Sequence, residues 1–171
     1  MDSDEILRMC NALDQIMLGI IESTKFFILA QSGITILPFF TSGFACDYRI
    51  VGDNFVVQNP MPKIGLFPKG AGAFFLTRIV GSAKAEEILL SDKDMDAYQL
   101  LQLKLADKIV PFSQLRYAAL ETARTFSGKS GASLTGVKRL VNYSLKDLKD
   151  YLEFENEQLL QILNTIKRSG E

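Results

Sequence analysis

The run Lys25-Phe26-Phe27-Ile28-Leu29-Ala30-Gln31 is the strongest constraint on how this chain can fold. It is apolar without the alternation of a strand that keeps one face wet, and Ser32-Gly33 closes it. Such a run predicts a strand covered on both faces, as in α/β proteins. Just upstream, Ile6, Met9, Cys10, Leu13, Ile16, Met17, Ile20 and Ile21 recur at helical spacing. They predict an amphipathic helix over 4–23, with Asp2 and Glu5 as a capping box. The most apolar stretch, Phe26 to Phe40, is broken by Gln31, Ser32, Gly33, Thr35 and Pro38, which excludes a membrane span there. The acidic opening Met1-Asp2-Ser3-Asp4-Glu5 carries no signal peptide, so a soluble, cytoplasmic protein is expected.

Beyond the strand, residues 37–45 predict a short helix with Pro38 in its first turn. Tyr48–Val51 and Phe55–Gln58 predict two short strands around a turn at Gly52-Asp53-Asn54. Asn59-Pro60-Met61-Pro62 is an extended loop. From Gly70 onward the pattern is helical, with helices predicted over 71–79, 82–90, 96–103, 112–127, 133–144 and 146–167. Asp96 and Gln99 form a capping box for the third of these. The class is α/β with a helical C-terminal part: an α/β core over 1–111 and a helical region over 112–171.

Charge is nearly balanced, 19 lysines and arginines against 20 acids, so no partnership with nucleic acid is expected. Cys10 and Cys46 are far apart in apolar settings and read as free thiols. The 171 residues include no histidine, which removes Ser-His-Asp triads, Cys-His dyads and His-ligated metals. Acid–base chemistry is left to carboxylates, lysine, tyrosine or water, and no metal is expected.

Four segments carry a family resemblance. Ala45-Cys46-Asp47-Tyr48-Arg49-Ile50, Lys63-Ile64-Gly65-Leu66-Phe67-Pro68, Arg78-Ile79-Val80-Gly81 followed by Ala83-Lys84-Ala85, and Leu105-Ala106-Asp107-Lys108-Ile109-Val110-Pro111 occur in order. Together they resemble the crotonase, or enoyl-CoA hydratase/isomerase, superfamily. Gly70–Gly72 lets backbone approach a helix start closely. Asp107 orients a turn before a short strand, and Lys104, where the family has glycine, is expected to be left-handed.

The resemblance implies a ClpP/crotonase ββα core, incomplete at its N-terminus, and a homo-oligomer, trimer or hexamer, built through the C-terminal helices. It also implies acyl-CoA thioester ligands, an oxyanion hole of two backbone N–H groups and one or two glutamates that move protons. No other cofactor follows. Anchored on Ser32-Gly33 and Cys46-Asp47, the family's glycine run falls on Leu37-Pro38-Phe39, and its oxyanion donor falls on Pro38, which has no N–H. The first glutamate falls on Thr41, which could hold a water, and the second on Met61. Leu37, Phe39, Phe40 and Phe67 are the substrate-pocket candidates. The region that carries the other oxyanion donor precedes residue 4 in the family's order.

Three readings follow. One is a degenerate family member, a pseudoenzyme that keeps fold and assembly surfaces. Another is an active lyase or isomerase of the same superfamily with other groups. Met61-Pro62-Lys63-Ile64-Gly65 loosely resembles a segment of the naphthoyl-CoA synthases, and Thr41, Asp47, Tyr48 and Lys69 are candidates; the plainer expectation is a turn or hydrogen-bonding residue at Asp47, a core residue at Tyr48 and a solvated Lys69. The third reading is a helical adaptor that uses the C-terminal leucine stripe.

Overall fold

The computed structural model describes residues 3–169. Helix α1 (Ser3–Glu22) leads into β1 (Ile28–Gln31) and β2 (Ile34–Ile36), then α2 (Leu37–Ser42). Next come β3 (Tyr48–Gly52) and β4 (Val56–Gln58), followed by α3 (Gly72–Val80), α4 (Ser82–Leu90), β5 (Met95–Asp96) and α5 (Ala97–Gln102). The chain ends with β6 (Lys108–Val110), α6 (Leu115–Ser127), α7 (Gly131–Asn142) and α8 (Leu148–Ser169).

The strands form two small sheets, ordered β1-β3-β6 and β2-β4-β5. Pairing is parallel except between β4 and β5. Each sequential strand pair therefore turns a corner from one sheet to the other. At the first corner Gly33 takes a left-handed φ of 74°, and its carbonyl accepts from the N–H of Val56 on the next layer. The expectation of strands around a turn at 52–54 is right about the strands, but they do not pair with each other. The partners of β3 are β1 and β6, and those of β4 are β2 and β5. Spacing of apolar residues reads the same for a corner as for a hairpin, so the partner is settled only by tertiary stacking.

Coverage of β1 also differs from expectation. It is an edge strand and only half-buried, with Ala30 exposed. The fully covered strand is the central β3, where Ile50 and Val51 are buried. The helices lie close to their predicted bounds. The proposed Asp2–Glu5 capping box falls partly outside the described residues. The Asp96–Gln99 box is formed in both directions, at 2.9 and 3.0 Å. Lys104 adopts a φ of 59° as expected. The Leu105 N–H reaches Leu100 O and the Lys104 N–H reaches Leu101 O, the pair of bonds that ends a helix in a left-handed residue.

The main core runs from Met17 on α1 through Leu37, Phe40, Phe55 and Leu76 to Leu148 and Leu152 on α8. Phe40 meets Phe44 edge-on at 5.2 Å between ring centres, a favoured aromatic geometry. The helical C-terminal part thus shares the core of the α/β part. Asp107 joins the central strands: its carboxylate accepts from the Arg49 N–H and ion-pairs with the Arg49 guanidinium, both at 2.8 Å.

Candidate active site

Helix α2 starts where the chain leaves β2. Ile36 is still extended (φ −100°, ψ 152°), Leu37 is the first helical residue and Pro38 the second. A proline is compatible with a first turn because the N–H groups there have no partner within the helix. The cost is chemical, since the second position offers no donor to anything outside. The Pro38 carbonyl is also taken: Ser42 Oγ donates to it at 2.7 Å. Thr41 Oγ1 lies 3.0 Å from Leu37 O and 3.2 Å from Pro38 O, so its one proton is spent on the helix backbone. Thr41 is 0% exposed. A threonine so placed is a helix residue facing the core, out of reach of any solvent-borne ligand.

The glycine-rich turn packs on this helix start. A Cβ on Gly70 would come within 2.3 Å of Pro38 O and 2.7 Å of Ser42 Oγ, and Gly70 has a φ of 92°. Only glycine fits both constraints. Ala71 follows at a φ of 57° and leads into α3. The N–H groups of Gly70 and Ala71 both donate to Glu155 Oε2, at 3.3 Å. Glu155 thus satisfies free N–H groups at the start of α3 from the distant α8.

Lys69 completes a buried charge cluster. Its Nζ donates to Asp14 Oδ2 at 2.9 Å and lies 3.4 Å from Glu155 Oε2. All three side chains are under 10% exposed. This corrects the expectation of a solvated Lys69: the carboxylates of α1 and α8 come from far along the chain and draw the ammonium inward. Asn156 Nδ2 donates to Asp14 Oδ2 at 3.3 Å, and Tyr151 OH donates to Glu155 Oε1 at 3.4 Å. Burial raises the Glu155 carboxyl above its ordinary range, against the pull of Lys69. Burial, with the Glu155 charge beside it, also raises the Tyr151 phenol.

The four pocket candidates are not brought together. Leu37 and Phe40 are core residues at 0% and 1% exposure, and Phe39 points outward. Phe67 lines a cavity of about 490 Å3 with Leu66, Pro68, Leu89, Tyr151 and Glu155. Met61 opens the turn Pro62–Ile64, and its carbonyl accepts from the N–H groups of Ile64 and Leu66.

Asp47 accepts from the Phe27 N–H and from Lys138 Nζ, each at 2.8 Å, and so acts as the expected hydrogen-bonding residue. Tyr48 is only partly buried and lies 5.9 Å from the Phe126 ring. Asp14, Glu155 and Lys138 were not singled out from sequence as charged partners. The signal was present: Asp14 sits between Cys10 and Met17 on one buried face of α1, and Glu155 sits between Leu152 and Leu159 on α8. A lone charge within an apolar stripe marks a buried pair.

A family model described as enoyl-CoA hydratase/isomerase matches residues 11–169. A probable enoyl-CoA hydratase of Mycobacterium tuberculosis is 34% identical over 97 residues, which are 57% of this chain and 38% of that protein. Among solved structures, an enoyl-CoA hydratase from Bacillus halodurans superposes with a TM-score of 0.86 at 25% identity, over 95% of this chain and 66% of that one. A putative enoyl-CoA hydratase/isomerase from Acinetobacter baumannii gives 0.78 at 26% identity, over 85% and 64%. The chain thus spans well under half of the curated relative and about two thirds of these structures.

Proposed function

The chain belongs to the enoyl-CoA hydratase/isomerase family, and from that premise we propose that it is a catalytically degenerate member that keeps the fold and an assembly role. One observation carries the reading: the helix start that should present an oxyanion donor holds Pro38 at its second position, with Gly70 packed onto its carbonyl. An oxyanion hole works by donors already aimed at the developing charge, and losing one donor costs about 100- to 1,000-fold in rate. The two glutamate positions carry Thr41 and Met61. Thr41 is sealed in the core with its proton committed, and a thioether transfers no protons. Crotonyl-CoA offered to the purified protein should show no loss of enoyl absorbance. Hydration at the rate of an ordinary family enzyme would overturn this reading.

Assembly is proposed through residues 112–171, as a trimer or hexamer. Tyr117, Leu120, Leu140 and Tyr143 in that region are exposed at 49–78%, more apolar area than a lone surface helix needs. A monomer by light scattering would end that part of the proposal. A reducing, cytoplasmic setting suits the two free thiols, and among the described residues no helix is long and apolar enough to cross a membrane.

A second reading keeps an enzyme on an acyl-CoA thioester with non-standard groups. It is favoured by the buried Lys69, held between two carboxylates beside the α2 start. Native mass spectrometry distinguishes the two: a CoA thioester retained through purification supports the second reading.

A further inference from the structure

A larger cavity, of about 610 Å3, opens at the end of the α2 stretch opposite Pro38. Cys46 lies on its wall, eight residues beyond Pro38. The volume lies within the ~300–1,000 Å3 of small-molecule sites. Its walls are apolar, with Phe26, Phe75, Phe126, Leu134 and Val137 prominent.

The charged groups around it are unequal. Asp47 is the one carboxylate among the lining residues, and Lys138 and the Phe27 N–H already hold it. Arg49 is taken by Asp107. Arg78 and Lys129 are exposed, line the same cavity and ion-pair with no carboxylate among the described residues. Arg78 lies over the Phe74 ring at 3.4 Å and donates to Phe74 O, which fixes the guanidinium without neutralising it. The cavity is therefore an apolar pocket with two uncompensated cations at its edge.

We propose that this cavity binds a straight-chain monocarboxylate, with the tail among the phenyl rings and the carboxylate at Arg78, Lys129 adding its positive charge to the rim. An arginine fixed in place accepts a carboxylate with little ordering cost. A sugar or nucleotide would set hydrophilic bulk against the rings. The proposal is independent of whether the chain acts on thioesters, because the cavity shares none of the residues around Pro38.

Cys46 is the built-in reporter. It is half-buried in the cavity wall, whereas Cys10 is 7% exposed on the buried face of α1. Iodoacetamide alkylation of the full chain, followed site by site by peptide mass spectrometry, reads both thiols. Decanoate below its micelle concentration should slow Cys46 about fivefold at a few times its Kd and leave Cys10 unchanged. Decanol should protect less. Lys129→Glu and Arg78→Glu should each weaken decanoate protection while leaving the ligand-free Cys46 rate near that of the parent. Val137→Trp should slow Cys46 without ligand and remove the decanoate effect.

Equal protection by decanol, no protection at all, or parallel slowing of Cys10 would each overturn the proposal. So would ligand-free protection of Cys46 that rises with protein concentration, which would mark the cavity as a contact between copies.

Discussion

At the scale of single residues, the Asp14–Lys69–Glu155 cluster sets the largest effects. Two carboxylates share one ammonium, and none of the three is water-exposed. Removing the cation leaves both carboxylates buried without a counter-charge, and breaking a buried pair in this way costs about 3–5 kcal/mol. Lys69→Met should therefore lower the urea midpoint sharply, although methionine fills similar space. A loss under about 1 kcal/mol would mean the carboxylates escape to water or take up protons.

Glu155 adds a pH dependence of definite sign. Its folded carboxyl titrates above the ordinary value because burial disfavours the charge. Folding then favours the protonated form. The contribution is fully present below the unfolded pKa of about 4.3 and is lost as pH rises through the folded value. Stability curves of the parent and of Glu155→Gln, measured between about pH 4 and 7, should differ in slope, with the parent losing more as pH rises. A parallel pair of curves would refute the assignment. Asp14 and Glu155 were visible in the sequence, set within apolar stripes, whereas Lys69 stood in the glycine-rich turn and read as solvated. Their partners were not, because Asp14, Lys69 and Glu155 are far apart along the chain and only the folded packing of α1, α8 and the turn before α3 joins them.

At the scale of elements, local signals proved legible where the physics is local. The Asp96–Gln99 box needs only residues three apart, whereas the left-handed Lys104 was expected from the glycine the family carries there, and the end of α5 uses it. That ending is also a place to gain stability. A non-glycine residue in the left-handed region carries a penalty of about 1–2 kcal/mol. Lys104 N–H and Leu105 N–H already make the bonds the turn requires. Lys104→Gly should thus raise the melting temperature, by an amount equivalent to about 1 kcal/mol, with α5 helicity unchanged. A drop would mean the lysine side chain contributes more than its backbone costs. Gly70→Ala is the opposite case, because a Cβ meets Pro38 O at 2.3 Å. The corner between β3 and β4 was not legible, since apolar spacing does not encode which sheet a strand joins.

At the scale of the whole molecule, the sequence reading divides the chain at residue 111, just after the last strand. The packing is not divided there. Leu148 and Leu152 of α8 lie in the same apolar cluster as Met17 of α1, Phe40 of α2 and Leu76 of α3. Glu155 of α8 holds the N–H groups that open α3. If the core is continuous, the two halves cannot unfold separately. Leu152→Ala should then cost about 2–5 kcal/mol and shift every probe by the same amount. In a background with Tyr48 and Tyr98 replaced by phenylalanine, tyrosine fluorescence reports on residues 112–171 alone, because the chain has no tryptophan and its other tyrosines are Tyr117, Tyr143 and Tyr151. Tyrosine fluorescence and far-UV circular dichroism should trace one urea transition before and after the substitution. Two transitions, with Leu152→Ala moving only the fluorescence one, would make residues 112–171 a unit that docks on an independently stable core; coincident curves would make the α8 contacts part of what folds the strands.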